Sequence, residues 1–278
     1  MARQLKVIPQ FRSFLSWSSS GLHTKHMQAQ EITYDTIGPG QELSALVESF
    51  WMLANPSGTA KQVVVLPDGR FDIFFAYSDN EPYHVTLMGL ENEPSQAEIA
   101  PGTVMFAVSF KLLAVEYLPG VDISALFNGA AYLPTGFWGI TVNDLSDFKG
   151  FCAKITAVLT DLLQKDIDDR KRRLFDLVYA SRGTLPVKDL SEQAHWSSRQ
   201  INRYFAEKFG IPLKAYCNIL RFRDSFSQLR DGKLFPEDHF TDQAHFIREV
   251  KKFSGVIPKE LAKNTNDRFI QFSTLPKP

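Results

Sequence analysis

S-S-R-Q-I-N-R-Y-F-A-E-K-F-G, residues 197 to 210, and D-Q-A-H-F-I-R-E-V-K-K-F-S-G, residues 242 to 255, decide the fold of the C-terminal half of this chain. Each opens on a side chain that can accept the free amides at a helix start, Ser197 or Asp242. Each closes on glycine, which takes the left-handed conformation that ends helices. With Ile201 as the core position and 100° per residue, Phe205 falls about 40° away, whereas Arg199, Asn202, Arg203 and Ala206 lie between roughly 100° and 200°. The second segment repeats the layout, with Phe246, Val250 and Phe253 inward and Ala244, Ile247, Arg248 and Lys251 outward. A helix with one apolar face and one cationic face is suited to insertion into double-stranded DNA.

The residues before the first segment strengthen that reading. Val187, Leu190 and Ala194 give a short helix with an apolar stripe, His195-Trp196 make a tight connection, and Ser197 caps the second helix. A scaffold helix, a short turn and a second helix with arginines near its start form a helix-turn-helix, in which the second helix enters the major groove. There guanidinium and amide groups read base edges.

Residues 181 to 263 resemble the DNA-binding domain of the AraC/XylS family of transcriptional regulators. The strings that carry the resemblance are L-S-E-Q-A-H-W-S-S-R-Q-I-N-R-Y-F (190 to 205), G-I-P-L-K-A-Y (210 to 216), L-R-F-R (220 to 223) and D-Q-A-H-F-I-R-E-V-K-K-F-S-G-V-I-P (242 to 258). The resemblance implies two helix-turn-helix units joined by a long helix, here about Leu213 to Leu229. It places DNA contacts at Ser198, Arg199, Asn202, Arg203, Gln243, Ala244, Ile247, Arg248 and Lys251. It also admits RNA polymerase, a small-molecule effector and a second copy of the chain as further partners, and implies a cytoplasmic, bacterial-type regulator, with activation as the family's usual mode. Two positions depart from the pattern. His195 stands at the turn position that the family often fills with glycine, a left-handed site costing other residues of order 1 kcal/mol. In D-G-K-L-F-P-E-D-H-F-T (231 to 241), Gly232 and Pro236 leave too few residues for a full second scaffold helix. The second unit is therefore expected to be remodelled, its helix leaning on Leu234, Phe235 and Phe240.

Composition agrees with more than one domain. The 278 residues are 44% hydrophobic, with 23 phenylalanines to fill cores. The net charge of zero conceals a split: residues 166 to 278 carry 21 Lys and Arg against 15 Asp and Glu, and residues 1 to 165 carry 10 against 16. Only the C-terminal part is basic enough to favour phosphate contact. The two cysteines, Cys152 and Cys217, are spaced for neither a zinc site nor a redox pair. No apolar run approaches the ~18 residues of a membrane span, so no membrane partner is expected.

The expected fold is α+β: a β-rich sensory or assembly domain over residues 31 to 143, then an all-α double helix-turn-helix over 181 to 265 and a tail over 266 to 278. Residues 1 to 30 read as a poorly structured extension, with polar S-W-S-S-S at 16 to 20. Met27 stands directly before the domain-like sequence and is either the natural start or the end of a short mobile arm. Gln62 to Leu66 and Phe71 to Tyr77 read as strands, and Pro67-Asp68-Gly69-Arg70 between them as the turn of a hairpin. Val85 to Leu90 and Thr103 to Phe110 are further strands. Phe50-Trp51, L-P-D-G-R-F-D (66 to 72) and F-A-V-S-F (106 to 110) resemble, through short strings, a β-rich domain that precedes this DNA-binding module in some regulators.

Several residues of the β-rich part carry two readings. Asp68 and Arg70 either contact an effector or stabilise their own turn. Trp51, Phe74, Phe110 and Trp138 either line a pocket or form core. His84 lacks any neighbouring metal-ligand spacing, so no metal is expected, and no cofactor-binding or catalytic constellation is present. Residues 144 to 180 read as a helical linker: Leu145, Phe148, Cys152, Ile155, Leu159 and Leu162 form one stripe, which either pairs two subunits or packs on its own β domain. D-I-D-D-R-K-R-R (166 to 173) reads as a charged, solvated junction. Against a regulator stand an enzyme fused to a DNA-binding tail, which as an alkyl acceptor would need an activated cysteine, and a purely structural protein. Within the regulator class, the alternative is a β domain that only oligomerises and takes no effector.

Overall fold

A computed structural model describes residues 7–8, 32–162, 167–234 and 243–274. The strands are β1 (Val7–Ile8), β2 (Thr33–Ile37), β3 (Val47–Ala54), β4 (Lys61–Val65), β5 (Phe71–Tyr77), β6 (His84–Met88), β7 (Ser95–Ile99), β8 (Val104–Phe110) and β9 (Ala130–Leu133). The helices are α1 (Phe148–Leu162), α2 (Asp169–Ala180), α3 (Val187–Gln193), α4 (Ser198–Phe209), α5 (Leu213–Arg230), α6 (Gln243–Ser254), α7 (Pro258–Lys263) and α8 (Ile270–Ser273). The architecture is α+β, a β-rich part followed by helices.

Strand β5 organises the sheet because it is apolar on both faces. Phe71, Ile73 and Phe75 enter the main core, and Phe74 and Ala76 form a second cluster with Ala107 on the opposite face. A strand buried on both faces belongs at the middle of a sheet. Accordingly β5 is flanked by β6 and β8 in an antiparallel sheet ordered β1-β9-β6-β5-β8-β3-β2.

Both edges of β5 being occupied, β4 cannot pair with it. Strand β4 pairs instead with β7 in a separate two-stranded sheet. The expected hairpin is thus absent, and the Pro67–Arg70 turn carries the chain from one sheet to the other. Its local chemistry is that of a turn, since Asp68 Oδ1 accepts the Arg70 amide at 3.0 Å. A second difference lies in the leader: Val7–Ile8, inside the stretch read as a poorly structured extension, pairs with β9 at Ala130 and Ala131. The free edge of β9 offers unpaired amides and carbonyls, which a two-residue strand satisfies. The remaining readings of residues 1 to 30, Met27 included, lie outside the described residues.

Helix α1 lays its stripe on its own β domain. Phe148 and Phe151 pack edge-on against Phe106 at 5.2 and 5.5 Å, and Phe151 against Phe75 at 5.5 Å. Phe148, Phe151, Cys152, Ile155 and Leu159 are all buried within one chain, so the stripe is covered by its own β domain. Most of the described charged junction is exposed: Asp168, Asp169, Arg170, Arg172 and Arg173 face solvent. From Asp169 onward it is the start of α2, capped by Asp168, and Lys171 donates to Glu116 of the β domain at 2.8 Å.

Candidate nucleic-acid interface

The first helix-turn-helix is closed by side-chain chemistry at each joint. Helix α3 buries Leu190, and Ala194 follows it at 0% exposure. His195 then takes φ 51°, the left-handed value the turn requires of a residue without glycine's freedom. Ser191 Oγ donates to the Trp196 carbonyl at 2.8 Å and fixes the turn's exit. Ser197 and Gln200 form a reciprocal capping box that satisfies two orphan amides at the start of α4. Gly210, at φ 73°, ends the helix.

Inside α4, Ile201, Phe205 and Phe209 are fully buried, Phe205 lying between Phe175, Phe209 and Tyr216. Outside, Arg199, Arg203 and Ala206 are exposed, and Ser198 and Asn202 are half-buried. Asn202 Nδ2 donates one hydrogen to the Ser198 carbonyl at 3.0 Å, which leaves its second hydrogen and Oδ1 for another partner. Arg203 faces Glu207 at 3.9 Å with both side chains more than two-thirds exposed, a pairing too weak to hold the guanidinium from a phosphate or base.

In the second unit α6 buries Phe246, Val250 and Phe253, while Gln243, Ala244, Arg248 and Lys251 are exposed and Ile247 is half-buried. Its support comes from α5: Phe253 stacks on Phe222 at 5.2 Å. The expected props Phe235 and Phe240, the Asp242 cap and most of the shortened connection lie outside the described residues.

Sequence reasoning missed how the two parts are joined. The Leu112 amide donates to Tyr179 Oη at 2.8 Å, and Tyr216 Oη donates to the Gly69 carbonyl at 3.0 Å. The two hydroxyls lie 3.0 Å apart, so Tyr179 supplies the proton between them and every group in the chain is satisfied. Burial raises the pKa of both phenols and keeps them neutral. Beside them Glu48 receives Arg70 at 3.0 Å and Arg223 at 2.6 Å. Burial alone would raise the Glu48 carboxyl, but the two guanidiniums outweigh it and bring it down to about 2. Glu116 accepts Tyr204 of α4 at 2.9 Å as well as Lys171. At the C-terminal end Gln271 bonds both the amide and the carbonyl of Leu66, at 3.0 and 2.8 Å. The only signal for these ties was the polar character of residues placed at core spacing, such as Tyr179 and Tyr216, and their partners lie far away in sequence.

The remaining candidates resolve individually. Arg70 is buried against Glu48, and Phe110 is core. Phe74 is buried, Trp51 donates to Asp72 at 3.2 Å, and Trp138 packs on Phe110 at 6.1 Å. His84 Nδ1 lies 3.0 Å from the Pro82 carbonyl. Among the described residues no group of three or more His, Cys, Asp or Glu is placed to hold a metal ion, and no helix is long and apolar enough to cross a membrane. Burial pushes the Cys152 and Cys217 thiols up to about 12, far from nucleophilic thiolates.

Residues 35–131 match the model of a domain of unknown function, DUF6597. No curated protein matches the chain. Among solved structures it is similar to ToxT from Vibrio cholerae. One such structure is 13% identical, with a TM-score of 0.44, over 77% of this chain and 98% of that one. An apo variant of ToxT is 15% identical, with a TM-score of 0.41, over 77% and 97%. ToxT with a bound unsaturated fatty acid is 13% identical, with a TM-score of 0.39, over 73% and 94%.

Proposed function

We propose that this chain is a sequence-specific, DNA-binding transcription regulator of the AraC/XylS type, reading the major groove with α4 and α6 and modulated by a small molecule acting on its β domain. The observation that carries the reading is the first helix-turn-helix: a capped α4 follows a left-handed turn and presents Arg199, Asn202 and Arg203 outward while its opposite face is fully buried. Arginine binds guanine and asparagine adenine through paired hydrogen bonds, so this face has the chemistry for base readout. The buried, protonated thiols favour a regulator over an alkyl-acceptor enzyme. The occupied stripe of α1 favours an effector role for the β domain over pure oligomerisation through that helix.

A gel-shift of the full chain against the DNA upstream of its own gene, at several salt concentrations, tests the reading. A specific complex should outlast the non-specific one as salt rises. Equal loss of binding to specific and random duplexes would remove base readout from the account.

A further inference from the structure

Between the β domain and the helices lies a cleft of about 390 Å³, lined in part by Glu48, Arg70 and Lys111 on one side and by Tyr179, Arg182 and Arg223 on the other. This size falls toward the lower end of small-molecule sites, which run to ~300–1,000 Å³. Its charge is unbalanced. Glu48 alone faces three cations, Arg70 at 3.0 Å, Arg223 at 2.6 Å and Lys111 at 3.8 Å. At the mouth Arg182, 64% exposed, reaches Asp224 at 3.0 Å. The lining itself therefore holds four cations against two carboxylates, with Asp176 acting on Lys111 and Asp68 on Arg70 from outside it. Arg70 is almost fully buried, and its Nε has no hydrogen-bond partner among the described residues. Cations gathered this closely and partly withdrawn from water repel one another unless a counter-charge joins them. Burial lowers the pKa of the Lys111 ammonium, with Arg70 and Arg223 acting in the same direction against Glu48 and Asp176. Leu220, Phe226 and the Tyr179 ring add a short apolar wall.

We infer that this cleft binds a small dianion, a dicarboxylate or a phosphate monoester, held between Lys111 and Arg223 inside and Arg182 at the mouth. A dianion cancels the surplus of two charges on the lining, and guanidinium forks suit both carboxylate and phosphate oxygens. Because the lining comes from the β domain, α2 and α5 together, the ligand ties the DNA-binding helices to the β domain and thereby alters DNA affinity. The inference rests on the effector reading above and gives it a place and a chemistry.

Calorimetric titration of the full chain tests it, with four- to six-carbon dicarboxylates, phenyl phosphate and inorganic phosphate as probes and acetate and hexanoate as singly charged comparators. The expected result is saturable binding of at least one dianion and none of the comparators, with the preferred probe telling carboxylate from phosphate. Lys111→Gln and Arg182→Gln should each weaken it by about tenfold, Arg182→Gln at unchanged melting temperature of the free protein. The inference is overturned if no dianion binds, if acetate binds as well, or if the double variant keeps wild-type affinity. It is also overturned if a dianion binds without changing the affinity for DNA that the chain recognises. Specific DNA binding with no dianion binding defeats this inference alone. Dianion binding by a chain that prefers no DNA sequence supports the cleft and defeats the regulator reading.

Discussion

Helices α4 and α6 are both 12 residues long, both end on a left-handed glycine and both turn a cationic face outward, yet they are held differently. Helix α4 is fastened to the β domain directly, through Tyr204 on Glu116 and through Gly210 lying against Ser124. Helix α6 leans on α5 through Phe222, and α8 beyond it is tied to β4's end by Gln271. The contrast teaches that similar sequence grammar can build two helices with unequal bracing. The β domain holds α4 through a side-chain hydrogen bond, so a change in that domain reaches α4 directly, whereas the stacking that supports α6 comes from α5.

The largest expected effects come from the two buried phenylalanines. Phe205→Ala and Phe253→Ala should each cost about 3–5 kcal/mol by chemistry alone. Their consequences should differ. Hydrogen exchange should show Phe205→Ala loosening α4, α2 and the adjoining β-domain segment together, and Phe253→Ala loosening α6 while α4 stays protected. Equal loosening of both heads in both variants would break the comparison.

Next in size is the Glu48 network. Its carboxyl lies at about 2 in the folded chain, below its ordinary value, so its contribution is full above the unfolded pKa and is lost as pH falls toward about 2. That contribution is roughly 3 kcal/mol. Glu91 behaves oppositely: burial lifts it to about 7, and its contribution fades as pH rises from the ordinary carboxylate range to about 7. Melting curves against pH should therefore lose their steep acid limb in Glu48→Gln and flatten toward neutrality in Glu91→Gln.

The glycines give a smaller contrast. A Cβ at Gly210 would meet the Ser124 carbonyl oxygen at 3.0 Å, whereas at Gly255 the nearest atom is Pro94 Cγ at 3.8 Å. Both lie at positive φ, so alanine should cost about 1–2 kcal/mol at either. Gly210→Ala should cost more because it also presses on the β domain, as denaturant titration would show. Smallest of all, Arg248→Ala with Lys251→Ala should flatten the salt dependence of DNA binding by up to about two counterions while leaving base preference unchanged. A scrambled preference would mean that α6 reads bases as fully as α4.

Local grammar was legible and pairing was not. Ser197 with Gln200, the stripe Ile201, Phe205, Phe209 and the end at Gly210 announce α4 from neighbours within four residues. The turn at Pro67–Arg70 was equally legible, but its hairpin was not, because strand partners are set by β5's two buried faces and not by the turn. The stripe of α1 was visible and its cover was not, since Phe75 and Phe106 lie far away in the chain. Glu48, Arg70 and Arg223 carry no sequence pattern at all, and Arg223 joins the Glu48–Arg70 pair only when the helices dock on the β domain.

Selection of binding sites from random DNA, run with the wild-type chain and with Asn202→Ala, tests base readout by α4. The wild type should yield a defined motif, and the variant should relax one position of it by roughly 1–3 kcal/mol of discrimination with non-specific binding little changed. An unchanged preference profile in the variant would contradict base readout by α4.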